Sequence, residues 1–159
     1  MQEVTEYIKA EKIALRLIAR AEQCSAGLLR KLEKRGIDTA VADEVISKLA
    51  EANLINDERY SQFWLGSRLR SAKSPRRLFS SLCARGIDHD TAKTALDSAL
   101  NEETENALLA RYSKKIMRKL RGKKGVDDFR SLKFLLKNEG FSSGAIEAFL
   151  ENETLETGA

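Results

Sequence analysis

The sequence predicts an all-α protein of three tandem three-helix repeats forming an elongated, curved molecule, and three observations predict it. Nine Gly and one Pro among 159 residues supply too few turn signals for a many-turned β fold. Apolar residues recur at spacings of three and four along most of the chain, which is the period of a half-buried helix. The third observation is an internal repeat. Segments 28–46, 78–96 and 132–150 read LLRKLEKRGIDTAVADEVI, LFSSLCARGIDHDTAKTAL and LKFLLKNEGFSSGAIEAFL, each with Leu, Leu four residues on and Gly four further on.

The first repeat is expected at 9–54. Ile13, Leu17, Ile18 and Ala21 mark one face of its first helix, and Leu28 and Leu32 one face of its second. Gly36 then supplies the left-handed residue that ends a helix, and Ile37 can fold back on the helix just finished. Asp38 is placed to cap a third helix with apolar positions Val41, Val45, Ile46 and Leu49.

The second repeat is expected at 55–101. A helix starting from Asn56 or Asp57 carries Tyr60, Phe63, Trp64 and Leu69 as its apolar positions. These aromatics could form a base-stacking platform, but helical spacing reads them as core, with Tyr60 and Trp64 inward. Pro75 after Ser74 suits the first helical position. Leu78, Leu82, Gly86, Ile87 and the cap Asp88 repeat the earlier turn.

In the third repeat, expected at 102–153, Leu108, Leu109, Tyr112, Ile116 and Leu120 form the first apolar stripe. Arg121 to Val126, RGKKGV, reads as an exposed mobile loop. Leu132, Leu136, Gly140, Phe141 and the cap Ser142 close the pattern, for nine helices in all with frayed ends outside the units. Three short helices bury little surface alone, so neighbouring repeats are expected to dock end to end.

Charge is 28 basic against 24 acidic residues, a modest net +4, but it is unevenly placed. Between Arg59 and Ile87 stand Arg59, Arg68, Arg70, Lys73, Arg76, Arg77 and Arg85 with no acid; between Arg111 and Lys124 stand eight more cations, again with none. Charged side chains usually just solvate a helix, but acid-free stretches of 29 and 14 residues favour binding to phosphate or to an acidic protein groove. Reading of base edges is disfavoured: the helix a helix-turn-helix protein would insert carries Asp43 and Glu44, or Asp88 and Asp90, which phosphates repel.

Catalytic sets are missing from the sequence. His89 is the sole His, it has no second ligand at metal spacing, and nothing marks a nucleophile beside it. No phosphate-loop or dinucleotide motif occurs, and Arg121 to Gly125 lacks the spacing of one. The expectation is a non-enzyme without metal or cofactor. Cys24 and Cys83 read as two reduced thiols; no apolar run long enough for a membrane span and no export signal are visible, so a cytoplasmic setting is expected.

Three stretches carry a family resemblance. They are Arg20-Ala-Glu-Gln-Cys-Ser25 through Leu28-Leu-Arg-Lys31-Leu32 to Gly36, then Leu54-Ile-Asn-Asp57-Glu58-Arg59-Tyr60, then Lys73-Ser-Pro-Arg76-Arg77-Leu78 leading to Arg85-Gly86-Ile87. Together with the triple unit they resemble the RecX family of regulators of the RecA recombinase, over about residues 9 to 152. A monomer is expected, and the resemblance implies three tandem three-helix repeats that lie along the groove of the RecA filament on single-stranded DNA and touch more than one protomer. It also implies inhibition of recombinase, ATPase and coprotease activities, by blocking filament growth or promoting disassembly. Residues expected to meet RecA or DNA are Arg20, Arg30, Lys31, Arg59, Arg68, Arg70, Lys73, Arg76, Arg77 and Arg85, with Lys114, Lys115, Arg118, Lys119, Lys123 and Lys124. The alternative is a sequence-independent nucleic-acid binder acting directly on DNA; weak direct DNA binding beside strong filament binding belongs to the first reading, and tight binding that falls steeply with salt to the alternative.

Overall fold

The computed structural model describes residues 1–120 and 128–158, and among these it is all-α. The helices are α1 (Gln2–Arg20), α2 (Ser25–Glu33), α3 (Thr39–Glu51), α4 (Asp57–Arg68), α5 (Pro75–Ala84), α6 (His89–Ala99), α7 (Glu102–Leu120), α8 (Asp128–Asn138) and α9 (Ser143–Thr157). The expected RGKKGV loop, with Lys123 and Lys124, lies outside the described residues.

The repeated turn forms three times with the same bonds. Gly36, Gly86 and Gly140 adopt φ of 77°, 89° and 90°, which a side chain would strain. The amide after each glycine reaches back over the turn, Ile37 to Leu32 O, Ile87 to Leu82 O and Phe141 to Leu136 O, all at 3.2 Å. That bond satisfies a helix-end carbonyl and folds a buried apolar residue onto the helix it follows. Each cap then starts the next helix: Asp38 accepts from Ala40 N at 2.9 Å, Asp88 from Thr91 N at 2.9 Å and Ser142 from Ala145 N at 3.3 Å. A fourth such turn uses Asn53, at φ 55°, to end α3.

The chain forms two compact units, Met1–Phe63 with Leu82–Ala92 and Trp64–Ser81 with Lys93–Ala159. In the first, Leu28, Leu32, Val45, Ile46 and Leu49 pack against Ala10 and Ala14 of α1, whose small side chains let α1 approach closely. Ile13, Leu17 and Ile18 only flank this core. Ala21, expected among them, is exposed; its backbone is already extended, so it ends α1. α1 also starts earlier than the expected repeat, at Gln2. Its first turns are held because Glu6 accepts the Asp38 amide at 2.9 Å and Tyr7 packs on the core under Lys48 Nζ, 4.6 Å from the ring centroid.

In the second unit Leu65, Leu78, Leu108, Leu109, Leu136 and Ile146 are fully buried, and the rings of Tyr112 and Phe141 meet tilted at 45°, 5.6 Å between centroids. Trp64 is buried and Tyr60 half-buried, as the spacing predicts, but Phe63 is 70% exposed. The inward stripe of α4 runs through Ser61, Trp64 and Leu65, and Phe63 lies outside it.

Successive repeats meet through the same parts of their middle helices. In the first unit the start of α2 abuts the end of α5: Arg30 Nη2 donates to Arg85 O at 2.9 Å, and Cys24 Sγ lies 3.6 Å from that oxygen. Gly86 is so close there that a Cβ would fall 2.3 Å from Ala26 Cβ. In the second unit the start of α5 abuts the end of α8: Arg76 N donates to Glu139 O at 3.0 Å, and the Ser74 hydroxyl donates to the Glu139 carboxylate. Gly140 faces Pro75 and Arg76 there.

Candidate functional site

α4 ends at Arg68, and the next residues turn back toward α5, the Ser71 amide and hydroxyl both donating to Arg68 O at 2.9 and 2.6 Å. Arg68 packs over Trp64, its guanidinium carbon 5.6 Å from the ring centroid. Ser74, fully buried, caps α5 by accepting from Arg77 N at 3.3 Å. The turn therefore has fixed ends, with Arg70 exposed and Lys73 half-buried between them.

α7 runs alongside. Its first turn holds Glu102, Glu103 and Glu105, which suit the positive end of the helix dipole, and its later turns are basic. Arg111, Lys114, Lys115, Arg118 and Lys119 follow spacings of three and four and so share one face. The Arg111 guanidinium donates to Leu69 O and ties the turn to this face. Arg70, Ala72, Arg111, Lys114, Lys115, Arg118 and Lys119 line a cleft of about 470 Å³ with no carboxylate in its lining. Among the described residues, none of these cations has an ion-pair partner. Like charges at i and i+4 destabilise a helix by about 0.2–0.5 kcal/mol per pair, a cost that a bound polyanion would remove.

The two acid-free stretches of the sequence thus converge in the second unit at Arg70 and α7. Arg111, absent from the expected set, is the residue that joins them. Arg76 and Arg77 are exposed at the start of α5, where Arg77 opposes an upward shift of the Tyr112 phenol caused by burial and then by the Glu139 carboxylate.

Other cations of the expected set are engaged within the first unit. Arg59 pairs with Glu22 at 2.8 Å and donates to Asn53 O and Leu54 O at 3.1 and 3.4 Å, holding the chain that leads from α3 into α4. Lys31 donates to Gln23 Oε1 at 2.6 Å, while Gln23 Nε2 donates to Ala21 O at 3.0 Å. Arg30 is spent on Arg85 O, Arg85 is half-buried, and Arg20 is exposed at the end of α1. Asp57 accepts the Ser25 amide at 2.7 Å, capping α2 from another helix; sequence reasoning missed this role, because the partner is distant in sequence.

His89 is exposed at the first position of α6. Among the described residues no group of three or more His, Cys, Asp or Glu is arranged to hold a metal, and no helix is long and apolar enough to cross a membrane. Cys24 and Cys83 are free thiols.

Comparison with known proteins matches residues 10–49 to the first three-helix domain of RecX and residues 56–96 to the second. A protein of Treponema pallidum named regulatory protein RecX is 32% identical over 147 residues, covering 92% of this chain and 86% of its own length. The regulatory protein RecX of Streptomyces coelicolor is 33% identical over 160 residues, covering 94% and 81%. The crystal structure of RecX from Lactobacillus salivarius shares the fold with a TM-score of 0.76 at 22% identity, covering 96% of this chain and 99% of that one.

Proposed function

The chain belongs to the RecX family, and from that membership we propose that it regulates RecA by binding the RecA filament on single-stranded DNA. On this reading it is a non-catalytic regulator that inhibits recombinase, ATPase and coprotease activities, by blocking filament growth or promoting disassembly. The three repeats, 9–54, 55–101 and 102–153, serve as successive docking elements, so that individually weak contacts on one chain combine through effective concentration. The observation that carries the reading is the basic cleft of Arg70 and α7, whose cations have no ion-pair partner among the described residues, in a chain related over most of its length to regulators of this name. Its cations fit DNA phosphate in the filament or acidic protomer surface.

The test is the ATPase rate of RecA on single-stranded DNA with substoichiometric amounts of the chain. A fall in rate is expected, because one chain at a growing end affects many protomers; an unchanged rate, with unchanged filament length, contradicts the proposal. The basic cleft also favours a second reading, direct sequence-independent binding to DNA. Tight binding to bare DNA that falls steeply with salt, without preference for the filament, would select that reading.

A further inference from the structure

Alignment of Leu28, Leu78 and Leu132 makes Ala26, Arg76 and Arg130 equivalent, and likewise Arg30, Ser80 and Phe134. In the first two repeats this part of the middle helix meets the carbonyl end of another helix. Ala26 packs against Gly86 and Arg30 donates to Arg85 O; Arg76 donates its amide to Glu139 O beside Gly140. The last turn of a helix is carbonyl-rich and partly negative, which suits the Arg30 guanidinium in one joint and the Arg76 amide in the other.

In the third repeat the same positions are uncovered. Arg130 is exposed, and Phe134, where the first repeat has Arg30, is 69% exposed. Arg76, Arg130, Ser131, Phe134 and Asn138 rim a groove of about 590 Å³ along α8, which also reaches Leu135 and Glu139. Among the described residues the one carboxylate of its lining is Glu139, which accepts from the Ser74 hydroxyl; beside it the groove offers two guanidinium groups and an aromatic ring.

The geometry points to this face of α8 as a docking site for the last turn of a helix on a protein partner. Carbonyl or carboxylate oxygens would meet Arg76 and Arg130, and an apolar side chain would cover Phe134. The occupant follows from continuity with the two internal joints, where this part of the middle helix meets such a helix end through Ala26 and Arg30 in one and through the Arg76 amide in the other, and from charge complementarity. Aromatic and arginine side chains together are also the usual anchors of protein interfaces. The identification of the partner as a filament protomer rests on the function proposed above; the site itself is distinct from the cleft on α7.

The test uses the full chain and the paired variants Phe134→Ser and Arg130→Glu, with binding to RecA filaments and to bare single-stranded DNA measured by anisotropy. Both side chains are exposed, so the melting temperature should be unchanged. Filament affinity is expected to fall at least tenfold, with DNA affinity unchanged for Phe134→Ser. Wild-type filament binding that either variant leaves intact overturns the inference alone. A wild-type chain that ignores the filament overturns the functional reading and the partner named here. A concentration-dependent dimer of the wild-type chain, lost in Phe134→Ser, would assign the groove to a second copy and overturn it too.

Discussion

Gly36 and Gly86 make the same backbone turn in different surroundings. At both, φ is positive, and a left-handed residue with a side chain costs about 1–2 kcal/mol. A Cβ on Gly36 would meet nothing within 4 Å, whereas on Gly86 it would fall 2.3 Å from Ala26 Cβ. Urea denaturation of Gly36→Ala should show the conformational cost alone, and Gly86→Ala a clearly larger loss; equal losses would contradict the close joint of α2 with α5. Asp88 gives a pH test. The Thr91 hydroxyl, and then its amide, hold this carboxyl below the usual range. A depressed carboxyl contributes stability above its unfolded pKa and loses it as pH falls through the folded value. Asp88→Asn should therefore flatten the acid limb of melting temperature against pH, and an unaltered limb would count against the cap. Such caps and glycines were legible in the sequence because their chemistry is local. The bond from the Ser25 amide to Asp57 was not, because it needs the fold to bring α2 and α4 together.

At the scale of elements, α7 bears five cations on one face, and the turn after α4 is fastened to it by Arg111. Reversal of Lys115 and Arg118 to Glu should weaken single-stranded DNA binding and lower the slope of log K against log salt by about 1.4, as expected for two lost phosphate contacts. Circular dichroism should show helix content retained, since the native face already carries like-charge strain; loss of folding would make these residues structural. Arg59 should behave in the opposite way. Its removal to Ala should cost roughly 1–2 kcal/mol of stability, from the charged hydrogen bonds to Glu22 and the chain leading into α4, without changing the salt slope. The spacing of Arg111 to Lys119 made the α7 face readable beforehand. Counting charges could not show that Arg59, Arg30 and Lys31 are engaged inside the fold, because their partners lie on other elements or in connecting turns. Periodicity likewise could not separate Phe63 from Trp64, since adjacent residues on α4 differ only in which neighbour covers them.

For the whole chain, the modest net charge of +4 hides a basic cleft with no carboxylate in its lining on one unit and cations already used for internal bonds on the other. A dedicated DNA binder would gain little from such economy. A regulator that seeks DNA only where RecA has coated it would gain selectivity, because protein contacts and phosphate contacts must be satisfied together. The repeat made the all-α fold legible in the sequence, since each turn is written in Leu, Gly and cap residues at fixed spacing. The cleft was legible only in part, because its two walls are some 40 residues apart. The most direct measurement of the central claim is an equilibrium titration of labelled full chain against RecA filaments and against the same single-stranded DNA without RecA, at one salt concentration. The account predicts that the filament binds at least tenfold more tightly; equal affinity, or preference for the bare strand, would contradict it.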